Sequence, residues 1–255
     1  MKSWNQSLEL IETVSKLIEP LGIELKENLE KSDALFKDFG GDPSRKNRSK
    51  FRPLRLSREE DWSDWLAFFL EESNGNFIKE LLGLDNTKGS EFVIEREYQV
   101  QERRADKVQG RRADIVLTCR NKKVGIHIEV KVGDLELDKT IETSEFMERE
   151  FNKDRELKWT NYLLLPAEDE PSWEALKNKP GWDKVDAITW DDISIAMRNC
   201  FVNGKEDLVW KAWAHPFIGI IEQKLLDIEP VALDKQKFSL RDLRTMVRLN
   251  KIVSR

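Results

Sequence analysis

The feature that most constrains the fold is a pair of short apolar segments separated by a polar turn. The segments are Ala113–Leu117 and Val124–Val130, and the turn is Arg120–Lys123. Two such segments joined by a four- or five-residue loop are typical of a β-hairpin. We therefore expect two antiparallel strands here, with the rest of the domain arranged around them.

Alternation along the second segment assigns its side chains to two faces, because successive side chains of a strand point to opposite sides. His127, Glu129 and Lys131 share one face, and the other carries Val124, Ile126, Ile128 and Val130. Glu129 and Lys131 are then roughly 6–7 Å apart at the backbone. Pairing across the hairpin brings Asp114 to the end of the second strand. The sequence thus predicts that two carboxylates and one ammonium meet at one point of a sheet.

This group of charges suits a metal-dependent reaction at a phosphate. Ionised groups are costly to remove from water unless they are paired or bind a cation. Carboxylate oxygens suit Mg²⁺, which is usually held by one or two carboxylates together with water and substrate phosphate. A neighbouring lysine can stabilise charge that develops on the phosphate. The alternative is an exposed strand pair with an ordinary ion pair, and the hairpin alone does not separate the two.

A strongly amphipathic helix is expected to start at Ser57. Ser57 is a favourable N-cap, and Glu60 three residues later completes the capping-box pattern. An apolar stripe follows at helical spacing, formed by Trp62, Trp65, Leu66, Phe69 and Leu70. Glu59 lies within this stripe and Glu60 at its flank, where a carboxylate is unusual unless it is paired or near a cation. The alternatives are capping for Glu60 and a first-turn acid favoured by the helix dipole for Glu59.

The remaining pattern predicts an α/β fold with a mixed central sheet flanked by helices. A strand over Phe92–Val100 is expected to pair antiparallel with the Asp114 strand. After the hairpin we expect a helix at Leu137–Phe151, a strand at Thr160–Pro166, a short helix at Trp173–Lys177, a strand at Val185–Trp190 and a helix at Asp192–Phe201. Strands separated by helices imply right-handed crossovers and parallel pairing.

Both ends of the chain are predicted to be helical. Residues 1–44 form an expected N-terminal helical extension, with a break at Pro20–Gly22, and residues 45–204 form the expected core. Residues 205–255 form a C-terminal helical region whose tail, from Ser239, has an apolar face and a basic face. That tail is expected either to bind nucleic acid or to pack on a partner chain.

Charge limits how the chain can bind nucleic acid. The formal net charge is −5, so binding requires a local basic patch. One basic run, residues 45–55, is either a solvated linker or a phosphate-contacting arm. A second cluster lies next to Asp114 and is the preferred candidate, with a charged hairpin loop as the alternative. Its candidate nucleic-acid-binding residues are Arg103, Arg104, Arg111 and Arg112.

The sequence has no apolar run of transmembrane length and no secretory leader pattern at its N-terminus. The two cysteines form no metal-ligand spacing. We therefore expect a cytoplasmic protein that does not bind a membrane.

Asp114 followed after fourteen residues by Glu129-Val130-Lys131 resembles the core signature of the PD-(D/E)XK nuclease superfamily. The resemblance extends to the preceding helix, where the matching residues are Glu59, Ser63, Leu66, Ala67 and Phe69-Leu70. It also extends to two closing segments, Leu163–Pro166 and Ile188–Met197. The match covers about residues 57–202 and implies a restriction-endonuclease-like core.

The resemblance implies a Mg²⁺-dependent nuclease that hydrolyses DNA phosphodiester bonds in a bacterial defence or restriction-type system. The implied metal ligands are Asp114, Glu129 and Glu59, with Glu60 as the fallback for Glu59. These three acids and Lys131 are the implied catalytic residues, and Mn²⁺ is expected to substitute for Mg²⁺. A partner protein or assembly into a homo-oligomer is also implied.

One departure from that family concerns the helix after Lys131. Many relatives carry a glutamine there, whereas residues 137–143 contain none, and Lys139 or Thr140 takes its place. This departure bears on substrate geometry more than on metal binding. Independently of it, two other functions stay open: a non-catalytic nucleic-acid-binding or assembly subunit, and an RNA-directed nuclease. We interpret His127 as a hydrogen-bonded histidine at the edge of the core, with a residue that supports the site ligands, or a general base, as the alternatives.

Overall fold

The computed structural model describes residues 20–48, 54, 56–104, 107–133, 138–152, 157–166, 177, 181–230 and 240–254. Side chains are described for these residues except 100–104, 107–111, 138, 139, 152 and 240. The chain divides into two compact units. The core unit is Phe51–Ala214, and the terminal unit combines Met1–Lys50 with His215–Arg255.

A five-stranded mixed sheet forms the centre of the core unit, with its strands in chain order. The strands are β1 (Val93–Arg104), β2 (Lys107–Cys119), β3 (Val124–Val130), β4 (Lys158–Leu165) and β5 (Val185–Thr189). The first three strands pair antiparallel, and β3, β4 and β5 pair parallel. The α/β class, the mixed sheet and the antiparallel-then-parallel order are confirmed.

Helices flank this sheet and also build the terminal unit. In chain order they are α1 (residues 20–35), α2 (Glu59–Glu71), α3 (Asn76–Leu82), α4 (Asp138–Asn152), α5 (Trp190–Asn203), α6 (Leu208–Lys224) and α7 (Leu240–Val253). The division between the two units falls within α6. The predicted short helix at Trp173–Lys177 lies outside the described residues, apart from Lys177.

The start of α2 differs from the capping prediction. Arg58 is the N-cap, and the helix begins at Glu59. The Asp61 carboxylate accepts hydrogen bonds from the backbone N–H of Ser57 (2.9 Å) and of Arg58 (3.0 Å). The prediction of Ser57 as N-cap with Glu60 at the third position is therefore wrong by one residue, because Asp61 satisfies these otherwise unpaired donors.

The buried face of α2 follows the predicted stripe. Trp62, Leu66, Phe69 and Leu70 are buried, whereas Trp65 is half-buried. Trp62 packs edge-to-face on Trp190 at the start of α5, with ring centroids 5.3 Å apart. This contact ties the first helix of the core unit to the segment that follows the last strand.

The β1–β2 hairpin is longer than predicted. β3 pairs with β2 only over residues 115–119, so the part of β2 before Ile115 pairs with β1 alone. The alternative of a charged hairpin loop is wrong for most of the basic cluster, because Arg103 and Arg104 end β1 while Arg111 lies inside β2. The side chains of these three arginines lie outside the described ones.

α4 packs against β2, β3 and β4. Its buried side chains join residues of β2 and β4 in one apolar cluster, which consists of Ala113, Val116, Phe146, Met147, Phe151 and Leu157, with Tyr98 and Trp159 packed against it. Phe151 stacks on Trp159, with centroids 5.1 Å apart and an interplanar angle of 12°. This cluster fixes the level of α4 along β3, because Trp159 pairs with Gly125.

In the terminal unit, α1 and α7 lie side by side, since Asn28 Nδ2 donates to Asn250 Oδ1 at 2.8 Å. A buried turn follows α1, where Asp42 accepts hydrogen bonds from the Ser44 N–H (2.8 Å) and hydroxyl (2.6 Å). His215 Nε2 bonds the Gly41 carbonyl at 2.7 Å. Residues 20–22 are helical, so the predicted break does not include Leu21 and Gly22.

Among the described residues, no helix combines the length and apolar character needed to cross a bilayer.

Candidate functional site

The candidate site lies where β2 separates from β3. Regular pairing ends at Ile115 opposite Ile128. One residue beyond, the Asp114 side chain takes over the role of a backbone acceptor, because its Oδ2 accepts the Val130 N–H at 2.8 Å. A strand N–H that loses its ladder partner needs another acceptor. This bond holds the Asp114 carboxylate at the end of β3, as the hairpin predicted.

Backbone distortion on β1 accompanies this separation. Glu97 is the residue of β1 between the pairs Arg96↔Ile115 and Tyr98↔Ala113, so it lies opposite Asp114. Its φ is 49°, a left-handed conformation that costs about 1 kcal/mol or more for a residue other than glycine. The sheet is therefore strained at the level of Asp114.

Glu129 and Lys131 meet at the end of β3. Lys131 Nζ lies 3.0 Å from Glu129 Oε1, and both side chains are nearly buried, with 11% and 13% exposed. The Lys131 backbone is fixed on both sides. Its N–H donates to the Leu164 carbonyl (2.8 Å), and its carbonyl accepts from Trp190 Nε1 (2.9 Å). The lysine is thus anchored by β4 and by the start of α5.

Glu59, in the first turn of α2, reaches the same place. Its Oε1 accepts the Val132 N–H at 3.3 Å, and its Oε2 lies 3.8 Å from Lys131 Nζ. Glu60 instead pairs with Arg112 at 3.1 Å. Of the two neighbouring acids that the sequence left open, Glu59 is therefore the one beside Lys131.

The electrostatics of Asp114 reflect its crowded position. Burial and the negative charge of Glu129 raise the pKa of Asp114 to about 6, although the Val130 N–H and Lys131 act in the opposite direction. A carboxyl group with this pKa is ionised at neutral pH only at a cost in free energy. A positive charge placed beside it would remove that cost.

Glu129 and Lys131 are both held in their charged forms. Burial alone would raise the pKa of Glu129, but His127 and Lys131 lower it on balance. Burial likewise disfavours the Lys131 ammonium, yet the carboxylates of Glu129, Glu59 and Asp114 raise its pKa. Lys131 therefore carries a proton at neutral pH and does not serve as a base.

The donor set matches what a hard divalent cation uses. Glu129 Oε2 is buried without a hydrogen-bond partner, and it lies 3.7 Å from His127 Nε2, which is too far for a hydrogen bond. Asp114 is the second nearly buried carboxylate. In the described part of the chain, no three His, Cys, Asp or Glu side chains form a complete metal-ligand group. Two carboxylates completed by water and substrate are the usual mode of Mg²⁺ binding.

Arg112 is the one predicted nucleic-acid-binding residue whose side chain is described. Its guanidinium pairs with Glu60 at 3.1 Å and with Glu97 at 3.3 Å. These carboxylates raise the pKa of Arg112. Arg112 thus links α2 to the strained residue opposite Asp114, and a phosphate would have to displace or share these two acids.

His127 differs from its interpretation. The residue is fully buried, and neither ring nitrogen has a hydrogen-bond partner. The expected place at the edge of the core is therefore wrong, whereas the expected hydrogen bonding stays a prediction, since Nε2 lies 3.7 Å from Glu129 Oε2. Thr140, one of the two residues considered in place of the missing glutamine, is also buried, and its hydroxyl has no partner.

Sequence reasoning missed the contribution of Trp190. Trp190 fixes the Lys131 carbonyl from a position 59 residues away, and no local pattern encodes that contact. Ser144, four residues after Thr140 and thus on the same face of α4, is buried, and its hydroxyl has no partner.

These features define an α/β protein with a mixed five-stranded sheet and a nearly buried cluster of two acids and a lysine at a strand end. No protein-family model, curated protein or solved structure matches the chain in the three comparisons made.

Proposed function

We propose that this chain is a Mg²⁺-dependent nuclease of the PD-(D/E)XK type that hydrolyses DNA phosphodiester bonds. One observation carries the proposal: Asp114, Glu129 and Lys131, together with Glu59, converge at the strand end predicted from the signature. An ordinary exposed ion pair does not account for two largely buried acids around one ammonium.

Asp114 and Glu129 are the residues that would hold the metal. The raised pKa of Asp114 and the unpartnered Oε2 of Glu129 are both explained if a cation binds between these two carboxylates, in the notch that Asp114, Glu129 and Lys131 form at the end of β3. A bound Mg²⁺ would supply positive charge that stabilises the phosphate as negative charge develops on its oxygens. Glu59 as a third ligand stays a prediction, because its described contacts are to Lys131 and to the Val132 N–H.

Lys131 acts on the substrate as a fixed positive charge. Its ammonium stays protonated and is directed by Glu129 and Glu59, so it donates hydrogen bonds to a phosphate oxygen or to the attacking water. Charge that is preorganised in a site with little water stabilises a transition state more than charge in open solvent. The bonds from Leu164 and Trp190 to the Lys131 backbone supply this preorganisation.

DNA would approach along the β1–β2 hairpin. The strand that carries Asp114 continues away from the notch as a two-stranded ribbon, and that ribbon carries Arg103, Arg104 and Arg111. Basic residues on such an arm contact the phosphate backbone without reading sequence. We propose these arginines as the substrate-holding residues and, from the family resemblance, a defence or restriction setting with a partner protein or a second copy of the chain.

The proposal is tested by incubating the full chain with supercoiled plasmid and, separately, with RNA, in Mg²⁺ or in EDTA. We expect plasmid cleavage in Mg²⁺ that EDTA abolishes and that falls at least about 100-fold in Asp114→Asn and Lys131→Met, the scale on which loss of one preorganised charge acts. Asp186→Asn and Lys158→Met are matched controls, because both residues are exposed. Lys158 pairs with Val124 at the start of β3, and Asp186 lies on β5, two strands away from β3.

Cleavage of RNA but not plasmid would reassign the substrate. Binding of DNA without cleavage would favour the non-catalytic subunit. Plasmid cleavage that persists in both Asp114→Asn and Lys131→Met would contradict the proposed site.

A further inference from the structure

Five buried polar atoms without a hydrogen-bond partner belong to β3 and to the helix that packs on it. They are His127 Nδ1 and Nε2, Glu129 Oε2, Thr140 Oγ1 and Ser144 Oγ. An unpaired buried polar group costs about 1–3 kcal/mol, so an unrelaxed set of this size is not expected in a native protein. The same atoms include complementary donors and acceptors.

Simple geometry places Ser144 at the level of His127 and Glu129. Phe151 stacks on Trp159, which pairs with Gly125, so Phe151 marks the level of Gly125 along β3. His127 lies about 7 Å and Glu129 about 13 Å beyond Gly125 along the strand. α4 runs back along β3, because it connects two parallel strands. Ser144 is seven residues before Phe151, so it lies roughly 10 Å beyond the level of Gly125 in the direction of Glu129. That position is between the levels of His127 and Glu129.

The chemistry of the ring decides the direction of each hydrogen bond. A neutral imidazole has one N–H donor and one acceptor nitrogen. Glu129 Oε2 is 3.7 Å from Nε2 and can only accept, since the Glu129 carboxylate is paired with the Lys131 ammonium at 3.0 Å and has no proton to donate. Nε2 must then carry the proton, and Nδ1 is left as an acceptor. The Ser144 hydroxyl is a donor on the facing helix that has no other partner.

We propose that His127 is a positioning residue for Glu129: once small side-chain shifts close the 3.7 Å separation, its Nε2–H donates to Glu129 Oε2. Its Nδ1 accepts a hydrogen bond from the Ser144 hydroxyl, directly or through one buried water. The carboxylate is then fixed from two sides, because Lys131 holds Oε1. Metal-ligating carboxylates in proteins are commonly oriented by such partners, whose loss costs about 10–100-fold in metal affinity. The metal-related part of this inference rests on the proposed function, whereas the tautomer and the serine contact do not.

The hydrogen-bond arrangement is tested by nitrogen NMR of the imidazoles in the metal-free full chain, at a pH where both rings are neutral. The chain has two histidines, and His215 serves as an internal reference, since its Nε2 faces the Gly41 carbonyl and must be protonated. We expect His127 to be the Nε2–H tautomer as well, with an Nδ1 resonance that moves in Ser144→Ala. Ser63→Ala is the control, because its hydroxyl bonds the Glu60 carbonyl on α2. An Nδ1–H tautomer, or an Nδ1 resonance unmoved in Ser144→Ala, overturns the arrangement.

The positioning role is tested by Mn²⁺ binding, followed through the loss of the free-ion EPR signal. His127→Leu keeps the bulk and removes the donor, and His127→Gln restores an N–H near the position of Nε2. We expect an affinity about 10–100-fold weaker in His127→Leu and recovery to within about threefold of wild type in His127→Gln. Thermal unfolding of both variants shows whether weaker Mn²⁺ binding occurs in a folded protein or results from unfolding of the variant.

The outcomes separate this inference from the proposed function. Unchanged Mn²⁺ affinity in a folded His127→Leu, or equal weakening in His127→Gln and His127→Leu, overturns the positioning role. If the wild-type protein binds no Mn²⁺, the proposed function and the positioning role both fail, and the tautomer measurement alone decides the Ser144–His127–Glu129 arrangement.

Discussion

Asp114 meets two requirements that oppose each other. Its carboxylate replaces a missing backbone acceptor for the Val130 N–H, which favours the ionised form. Its burial beside Glu129 disfavours that form and raises the pKa of Asp114 to about 6. The effect of burial and of Glu129 is the larger one, so the ionised Asp114 carboxylate lowers the stability of the folded chain at neutral pH. Such a cost is expected where a side chain is kept for binding rather than for folding.

The first prediction concerns Asp114→Asn. Because the folded state holds a proton on Asp114 up to about pH 6 and the unfolded state only to about pH 4, the wild-type free energy of unfolding should fall as the pH rises through that window. Asparagine keeps an acceptor for Val130 and removes the charge. At pH 7.5 we expect urea unfolding to show Asp114→Asn as more stable than wild type by about 1–3 kcal/mol.

Added Mg²⁺ should reverse that order. At pH 7.5 the metal is expected to raise the free energy of unfolding of the wild type and to leave Asp114→Asn unchanged, because only the wild type keeps both proposed ligands. Asp186→Asn, an exposed strand aspartate, should behave as wild type in both conditions. If Asp114→Asn were less stable than wild type in EDTA, the charge of Glu129 would not destabilise the ionised Asp114 carboxylate, and the prediction would be contradicted.

The second prediction compares the neighbouring acids of α2. Glu59→Gln should lower cleavage about tenfold or more, because it removes a carboxylate that directs Lys131. Glu60→Gln should leave cleavage within about twofold and cost less than about 1 kcal/mol, since it only weakens an exposed ion pair with Arg112. Initial rates on plasmid and urea unfolding measure both. Equal loss of activity in the two variants would count against the assignment of Glu59.

At the level of elements, sequence pattern was sufficient for the hairpin and the mixed order of the sheet. Alternation placed Glu129 and Lys131 on one face, and the apolar run over Val124–Val130 fixed the register. Two features were not predicted from the sequence pattern. The N-cap of α2 lies one residue later than predicted, because Asp61 rather than Glu60 accepts the hydrogen bonds from the N–H groups before the helix. The full length of the β1–β2 ribbon was not predicted, because its outer part consists largely of charged residues, which are equally common in loops.

The third prediction concerns the anchor of Lys131. Trp190→Phe keeps an aromatic ring against Trp62 and removes the N–H that bonds the Lys131 carbonyl at 2.9 Å. We expect a loss of about 1–2 kcal/mol in stability. We also expect a larger effect on kcat than on KM, because the proposed function has the lysine act on the transition state.

Trp210→Phe is the matched control for that variant. Trp210 Nε1 donates to the Phe69 carbonyl at 3.0 Å, a buried bond of the same kind in the same unit but away from the site. Trp210→Phe should lower the free energy of unfolding by about as much as Trp190→Phe does, without a change in kcat. If both variants change kcat equally, the effect of Trp190 is general loosening of the fold rather than anchoring of Lys131.

At the scale of the whole molecule, the candidate site belongs entirely to the core unit, since Glu59, Asp114, Glu129, Lys131 and Trp190 all fall within Phe51–Ala214. Sequence reasoning treated the two ends of the chain as separate extensions. Their assembly into one unit depends on pairs such as Asn28 and Asn250, which are 222 residues apart and leave no local signal.

The fourth prediction follows from the net charge of −5. Because the overall field repels DNA, affinity should depend on the basic ribbon and weaken steeply with salt. Arg103→Ser combined with Arg104→Ser should reduce the slope of log affinity against log salt by about 2, as expected for two lost phosphate contacts. Fluorescence anisotropy with a labelled duplex measures this. Arg149→Ser, on α4, is the control, and an unchanged slope in the double variant would exclude the two arginines from the interface.

The most direct measurement is a Mn²⁺ titration of the full chain by EPR at pH 7.5, with wild type, Asp114→Asn, Glu129→Gln and the control Asp186→Asn. We expect one bound ion per chain in wild type and in the control, and at least about tenfold weaker binding in each of the two site variants. Wild-type protein that binds no ion, or site variants that bind it as well as wild type, would contradict the claim that Asp114 and Glu129 together form a cation site.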